Sequence, residues 1–150
     1  HDKIRSSCIE CKGGSICEHE KIRNICKICD LNGYIKNILR ARMYDAIFNQ
    51  YGSKNIKTIE LLGCSIMEAR LHLENQFLEG MNWDNHGEWH VDHRRPCSSF
   101  NLTIEKEQKM CFHYTNLQPL WATDNLSKSD IFDENIFSWI WNGSMWVEKI

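Results

Sequence analysis

The sequence lacks any run of about eighteen consecutive apolar residues, which is the length that a membrane-spanning helix requires. It also lacks a basic segment followed by an apolar one at its start, the pattern of a secretory signal peptide. We therefore expect an intracellular protein with no membrane partner. Its 150 residues, 42% of them hydrophobic, can bury one modest core.

An excess of charge of one sign is also missing, since the formal net charge is −2. This sum hides an asymmetry: residues 1–58 hold eleven basic and six acidic residues, whereas residues 59–130 hold six and eleven. The basic part, which includes Arg40, is the segment expected to bind phosphates. The alternative is that the two parts are differently charged solvated faces of one domain.

Cysteine is scarce outside the first thirty residues. Five of the eight cysteines lie between Cys8 and Cys29, in Cys-x-x-Cys and Cys-x-His spacings. Such spacings are typical of metal ligands, whereas a secreted chain with this many cysteines would suggest disulfides. We therefore expect a reducing compartment.

The amino-terminal segment repeats with a period of eighteen residues, which aligns His1, Lys3-Ile4-Arg5, Cys8 and Cys11 with His19, Lys21-Ile22-Arg23, Cys26 and Cys29. The second unit is a complete Cys3His set of the kind that binds structural zinc: Cys17, His19, Cys26 and Cys29. In the first unit, the matching leading cysteine would precede His1. The pattern thus predicts a piece of a longer zinc-repeat array.

Two other zinc ligand sets stay open at this point. One contains the four cysteines Cys8, Cys11, Cys26 and Cys29, and the other contains Cys8, Cys11, Cys17 and His19. In each case zinc would be structural, because a segment this short and polar has little core of its own.

The middle of the chain has helical patterns. Apolar residues from Ile35 to Ile47 recur at spacings of three and four after an expected turn at Asn32-Gly33. Ser65-Ile66-Met67-Glu68 has the form of a capping box, which predicts a helix from there through about Leu78. A further helix is expected from Ile104 to Phe112.

The segment Trp89–His93 is predicted to be a strand in which His90 and Asp92 share one face. A second strand is expected around Tyr114 to Leu117, followed by a helix after Trp121 that places Asn125 and Lys128 on one face. At the carboxyl end, Asn142-Gly143 between apolar runs predicts a two-residue hairpin turn, with Trp139 opposite Trp146.

Three short runs carry the chemistry: His90-Val91-Asp92-His93-Arg94-Arg95-Pro96, Asn116-Leu117-Gln118-Pro119-Leu120-Trp121 and Asn125-Leu126-Ser127-Lys128. A carboxylate and an amide oxygen suit a hard divalent ion, and an imidazole can deprotonate water. These runs resemble the HNH motif of ββα-metal endonucleases. The resemblance extends from about Leu61 to Asp130, and it is to proteins of phages and large DNA viruses, many of them mobile or homing-type. The amino-terminal repeats resemble Cys-x-His zinc repeats of giant-virus and algal proteins.

The resemblance implies a role for each matching residue. His93 would be the general base and Asn116 the amide that orients its imidazole, while Asp92 and Asn125 would bind Mg²⁺ or Mn²⁺. The family often has His at the position of Asn125. The implied partner is DNA, in the host cytoplasm or nucleus if the source is viral, with a homodimer for double-strand cleavage.

Several residues keep a second interpretation. Arg94 and Arg95 directly follow the proposed base and are predicted phosphate clamps, whereas Lys128 fits a phosphate contact and a solvated side chain equally. Asn116 also suits a turn-stabilising amide, and Asn125 a helix cap. His90 is expected to be strand surface, and Cys64, Cys97 and Cys111 are expected to be buried or free thiols.

The predicted fold class is α+β: a ββα-metal HNH core with helical elaboration, a small zinc-binding module and a carboxyl-terminal β-hairpin. The expected segments are a zinc-binding segment (1–30), a basic helical linker (31–58), the HNH domain (59–130) and a hairpin packed on the core (131–150). The leading hypothesis is a metal-dependent DNA endonuclease. Its alternatives are a zinc-repeat DNA-binding module with an inactive HNH fold and a restriction-type enzyme for modified DNA.

Overall fold

The computed structural model describes residues 4–150. The chain forms two compact units, one that ends at Ala41 and one that comprises Arg42–Ile150. Over the described residues the fold is a mixture of α and β structure, with five α-helices and two small antiparallel sheets. None of the helices in this part of the chain combines the length and apolarity needed to cross a membrane. The α+β class expected from the sequence is therefore confirmed at this coarse level.

The elements follow one another in a simple order. The helices are α1 (Leu31–Asn49), α2 (Thr58–Leu62), α3 (Ile66–Glu74), α4 (Glu105–Phe112) and α5 (Ala122–Lys128). The strands are β1 (Trp89–His93), β2 (Leu117–Trp121), β3 (Trp139–Trp141) and β4 (Trp146–Glu148). Strand β1 pairs with β2, and β3 pairs with β4.

The turn predicted at Asn32-Gly33 is wrong, because helix α1 begins at Leu31 and includes both residues. The carboxylate of Asp30 accepts a hydrogen bond from the backbone N–H of Gly33 at 2.8 Å. This bond satisfies one of the free donors at the start of a helix, so that the glycine is accommodated in the first turn. The buried side chains of α1 recur every four residues, as the apolar pattern predicts: Ile35, Leu39, Met43 and Ile47.

The capping box predicted at the start of α3 is confirmed. The hydroxyl of Ser65 accepts a hydrogen bond from the backbone N–H of Glu68 at 3.2 Å, and the Glu68 carboxylate accepts one from the Ser65 N–H at 2.8 Å. The helix ends at Glu74, four residues before the predicted end.

Strands β1 and β2 form an antiparallel pair in which Asp92 lies opposite Gln118 and His93 lies opposite Leu117. The predicted bounds of β1 agree with the structure, α4 begins one residue later than expected, and β2 begins three residues later. Residues Tyr114–Asn116 form a 3-10 turn instead. The imidazole of His113 accepts a hydrogen bond from the Thr115 N–H, which stabilises this turn in place of strand pairing.

The carboxyl-terminal hairpin is present, but its predicted register is wrong by two residues. Trp141, rather than Trp139, lies opposite Trp146. The side-chain oxygen of Asn142 accepts hydrogen bonds from the N–H groups of Ser144 and Met145, both at 3.0 Å. This Asx turn extends the loop to residues 142–145, because it satisfies the backbone donors within the loop.

Trp146 anchors the hairpin to the rest of the 42–150 unit. Its side chain is buried, its indole N–H donates to the Met110 carbonyl at 2.8 Å, and its backbone N–H donates to the Thr115 hydroxyl at 2.9 Å. Its ring contacts three other aromatic rings: Phe100, Phe137 and Trp141. A large buried ring with a satisfied N–H is a strong packing element.

We predict that Trp146→Ala lowers the free energy of unfolding by about 3–5 kcal/mol, because it removes a buried ring and leaves the Met110 carbonyl without its indole donor. The measurement is urea denaturation. Ile140→Ala is the control on the same hairpin, because Ile140 is 52% exposed. Equal stability losses for the two variants would contradict the anchoring role.

Candidate functional site

The repeat seen in the sequence is also a repeat of backbone geometry. Arg5–Ser7 and Arg23–Ile25 each form a 3-10 turn, and the N–H of the following cysteine donates to the arginine carbonyl at 3.3 Å in both. The residues that precede the two turns have nearly equal dihedrals, φ −58° and ψ 122° for Ile4 and φ −62° and ψ 124° for Ile22. The two units thus fold alike where both are described.

The second unit brings four ligand atoms together. From the Nδ1 atom of His19, the sulfur atoms of Cys17, Cys26 and Cys29 lie at 3.8, 3.6 and 3.4 Å. All four ligand atoms lie within 4.8 Å of one another. For a tetrahedral zinc ion with ordinary bond lengths, the sulfur–nitrogen edge is about 3.6 Å. This Cys3His group can therefore hold a zinc ion.

The backbone around this group supports a metal role. The N–H of Cys29 lowers the pKa of the Cys26 thiol, and the N–H of Cys11 similarly lowers that of Cys8. Hydrogen bonds from backbone N–H groups stabilise thiolates, the form that binds zinc. In residues 4–30 the buried side chains are three cysteines, Cys8, Cys17 and Cys26. This segment has no buried apolar core apart from its sulfur atoms.

Cys8 and Cys11 lie outside the Cys3His group. Of the three ligand sets left open by the spacing, the structure therefore brings together Cys17, His19, Cys26 and Cys29. The first repeat unit would also use His1, which lies outside the described residues.

A second polar cluster lies where α5 meets β1. The Asp92 carboxylate, with 12% of its side chain exposed, accepts hydrogen bonds from the Lys128 ammonium at 2.8 Å and from the Gln118 amide at 2.9 Å. Both bonds reach the same oxygen, Oδ2. Within residues 4–150, no hydrogen bond reaches the other oxygen, Oδ1.

Asn125 contacts His90, the other polar residue on this face of β1. The amide nitrogen of Asn125 lies 3.1 Å from Nδ1 of His90. The predicted common face of Asn125 and Lys128 on α5 is confirmed, because both side chains reach β1. His90 was expected to be strand surface, and the strand alternation that pairs it with Asp92 was the signal for its place in this cluster.

His93 reaches a different group of residues from its neighbour Asp92. Its Nδ1 lies 3.6 Å from the sulfur of Cys97, and its ring packs edge-on against Phe112 at a centroid distance of 5.6 Å. Successive side chains of a strand point to opposite faces, which explains this separation. The predicted catalytic residues therefore fall into two groups on the two sides of β1.

Cys97 and Cys111 form a close pair of thiols. Their sulfur atoms are 3.4 Å apart, and the Cys111 thiol donates to Cys97. This hydrogen bond, with the positive charge that His93 can carry, lowers the pKa of Cys97 to about 4. Burial raises the pKa of Cys111. Neither cysteine has a Cys-x-x-Cys partner, so no spacing pattern in the sequence indicates this contact.

Asn116 is fully buried and binds the backbone rather than an imidazole. Its oxygen accepts from the Arg95 N–H at 2.9 Å, and its amide nitrogen donates to the carbonyls of Arg95 and Cys111 at 3.1 and 2.8 Å. The expected direct contact with His93 is absent from these bonds. Asn116 instead holds the chain that leaves β1 and the end of α4.

The predicted phosphate clamps are engaged within the protein. Arg94 donates to Gln118 at 3.2 Å and also to Gln76, and its guanidinium lies 4.2 Å from the centre of the Trp139 ring. Arg95 donates to Ser99 and stacks on Phe100. Arg40, in contrast, is exposed on α1.

Comparison with known proteins found relatives in a giant virus. Over 102 residues, which are 67% of this chain, it is 43% identical to "Uncharacterized protein L426" of Acanthamoeba polyphaga mimivirus and equally identical to "Uncharacterized protein L246" of the same virus. The chain spans 44% of the length of each relative. A viral source class was expected from the sequence, and the relatives agree with it. No family model matches the chain, and no solved structure matches it.

We predict that Cys26→Ser lowers the zinc bound per chain by about one equivalent, because it removes one of the four clustered ligands. Elemental analysis of the purified protein measures this. Cys64→Ser is the matched control. Burial raises the pKa of the Cys64 thiol to about 11, and Cys64 does not belong to the Cys3His group. Zinc content unchanged in Cys26→Ser would remove Cys26 from the ligand set.

We also predict that Asn116→Ala destabilises the protein by about 3 kcal/mol, because it leaves one buried N–H and two buried carbonyl groups without their partner. Urea denaturation measures the loss. Asn135→Ala is the control, because Asn135 is exposed and its hydrogen bonds within residues 4–150 are to neighbouring Asp133. A loss in Asn116→Ala no larger than in this control would refute the bracing role.

Proposed function

We propose that this protein is a metal-dependent endonuclease of the HNH type, which hydrolyses phosphodiester bonds of DNA. The observation that carries the proposal is the order β1, β2, α5, in which α5 directly follows β2 and carries Asn125 and Lys128 to the strand of Asp92 and His93. This arrangement supplies a carboxylate, an amide and an imidazole on adjacent elements.

The residues present fit a hard divalent ion such as Mg²⁺ or Mn²⁺. Asp92 and Asn125 would hold it through oxygen atoms, the ligands such ions prefer, and His90 lies beside Asn125. Oδ1 of Asp92 is the oxygen that makes no hydrogen bond within residues 4–150. When bound, such an ion supplies positive charge that stabilises the negative charge developing on the phosphate oxygens.

In this proposal His93 accepts a proton from the attacking water. Its imidazole is half-buried and held edge-on against Phe112, so that its orientation is restricted. Asn116 acts on it only through the backbone, by bracing Arg95 two residues further along the chain. Aligning a base that is already ordered costs less free energy in the transition state.

DNA binding would rely on the basic part of the chain. Residues 1–58 carry an excess of five positive charges, from eleven basic and six acidic residues, and Arg40 is exposed there. Because the side chains of Arg94 and Arg95 make contacts within the protein, we assign them a packing role rather than a phosphate contact. Cutting both strands of a duplex would require two sites, hence a homodimer.

One observation favours a second candidate function, a zinc-repeat DNA-binding module with an inactive nuclease fold. The Lys128 ammonium lies on the carboxylate that a metal ion would use, at 2.8 Å. A lysine in this position compensates the negative charge of Asp92 without any metal ion. The two candidates differ in whether metal ions support cleavage.

The test is cleavage of supercoiled plasmid with Mg²⁺, Mn²⁺ or EDTA. We expect metal-dependent cleavage by the wild type and a rate at least about 100-fold lower in His93→Ala, because that variant lacks the general base. Asp92→Ala and Asn125→Ala should require more metal ion and cut more slowly. Gel shifts with the same DNA should show binding retained in all three variants.

His86→Ala is the matched control, a half-buried histidine that lies against Trp89 and has no assigned role in the proposed site. It should cut at a rate close to that of the wild type. Undiminished cleavage by His93→Ala would refute the assigned mechanism. If the wild type binds DNA but does not cut it with either Mg²⁺ or Mn²⁺, the binding module is favoured instead.

A further inference from the structure

Sulfur and nitrogen ligands meet at a second place in the protein, within the 42–150 unit. His93 ends β1, Cys97 begins the 3-10 turn Cys97–Ser99, and Cys111 lies in α4. Their ligand atoms all lie within 4.8 Å of one another. Three separate elements therefore converge on one point through side chains that all bind soft metal ions.

The sulfur–nitrogen distance in this group matches that around a tetrahedral zinc ion, and the sulfur–sulfur distance is about 0.4 Å shorter. The sulfur of Cys97 lies 3.6 Å from Nδ1 of His93 and 3.4 Å from the sulfur of Cys111. Around a tetrahedral zinc ion, the sulfur–nitrogen edge is about 3.6 Å and the sulfur–sulfur edge is about 3.8 Å. The Cys3His group of the amino-terminal segment has the same sulfur–nitrogen spacing, 3.4 to 3.8 Å.

We propose that His93, Cys97 and Cys111 bind a second zinc ion. Two thiolates and a neutral imidazole balance the charge of Zn²⁺, so that a net-neutral centre can lie in this largely buried place. Cys111 is fully buried, while His93 and Cys97 are half-buried, which gives the ion a route from solvent. Three protein ligands leave a fourth tetrahedral position for water.

Such a site would bind together the parts of the chain between β1 and β2. The ion would connect the end of β1 to α4, across residues that Asn116 already braces through Arg95 and Cys111. Zinc bound here therefore stabilises the folded protein, because Cys111 lies fourteen residues after Cys97 in the chain and folding brings it to the other two ligands.

The site also has a consequence for catalysis, which rests on the proposed endonuclease function. A neutral imidazole has one nitrogen that accepts a proton and one that carries a proton. With zinc on Nδ1, the remaining nitrogen of His93 carries the proton and cannot take one from water. Zinc at this site would therefore inhibit cleavage that Mg²⁺ supports.

The zinc content of the 150-residue chain tests the binding itself, without any measurement of activity. Protein purified under reducing conditions from zinc-supplemented cells should contain about one zinc fewer per chain in Cys97→Ser than in the wild type. Cys64→Ser should match the wild type. Circular dichroism would show that each variant is folded.

A second variant keeps the proposal testable if Cys97→Ser unfolds. His93→Gln replaces a half-buried ligand at the end of β1. The affinity of this variant for Zn²⁺ at the site should be at least about tenfold lower than that of the wild type, as measured by competition with a chromogenic chelator. Equal zinc content and equal competition in the wild type and in every folded ligand variant would overturn the proposal. A wild-type mass lower by two hydrogens, with a Cys97–Cys111 disulfide in the peptide map, would overturn it too.

Inhibition is a separate measurement. Added Zn²⁺ should slow Mg²⁺-supported cleavage by the wild type more than cleavage by Cys111→Ser. If neither protein cuts DNA, the endonuclease proposal fails, while the zinc measurements still decide the metal site. If both cut and zinc slows them equally, the assigned consequence for His93 is wrong.

Discussion

The geometry of the larger unit depends on one buried amide. Asn116 makes hydrogen bonds with both backbone groups of Arg95 and with the carbonyl of Cys111, and it is fully buried. Buried backbone groups need partners, and no regular ladder supplies them where the chain leaves β1. A side chain with both a donor and an acceptor is suited to this position, and an aspartate would replace the amide donor with a charged acceptor.

This bracing supports the residues around His93. Arg95 follows His93 by two residues, and Cys111 belongs to the group that His93 contacts. By fixing the backbone at Arg95 and the end of α4, Asn116 contributes to the placement of the His93 imidazole, which packs against Phe112 of that helix. The same constraint also sets the distance between Cys97 and Cys111, because one lies on the braced loop and the other on the braced helix.

Local signals in the sequence predicted local structure well. The capping box at Ser65, the strand Trp89–His93 and the zinc ligand spacing all depend on residues close together in the chain, and the structure contains each of them. The predicted start of β2 and the predicted register of the hairpin were wrong for the same reason. In both places a side chain, His113 or Asn142, hydrogen-bonds to the nearby backbone and replaces strand pairing with a turn.

Contacts between distant residues were harder to predict. Cys97 and Cys111 are fourteen residues apart, in different elements, and only the packing of α4 against the braced loop brings their sulfur atoms together. The contact of His90 with Asn125 likewise depends on how α5 lies against β1. Alternation along the strand gave the face of His90, but no pattern in the sequence gave its partner.

The bond between Lys128 and Asp92 can be understood as electrostatic compensation. A carboxylate with 12% of its side chain exposed loses much of its hydration, and a nearby positive charge offsets that loss. A divalent ion on the same carboxylate would offset it more strongly and would repel the ammonium at close range. Lys128 would then be displaced towards solvent, where its charge favours an approaching phosphate. The same lysine therefore suits both a metal-free resting state and a phosphate contact, so its bond to Asp92 in the metal-free protein is compatible with the endonuclease as well as with the binding module that it favours.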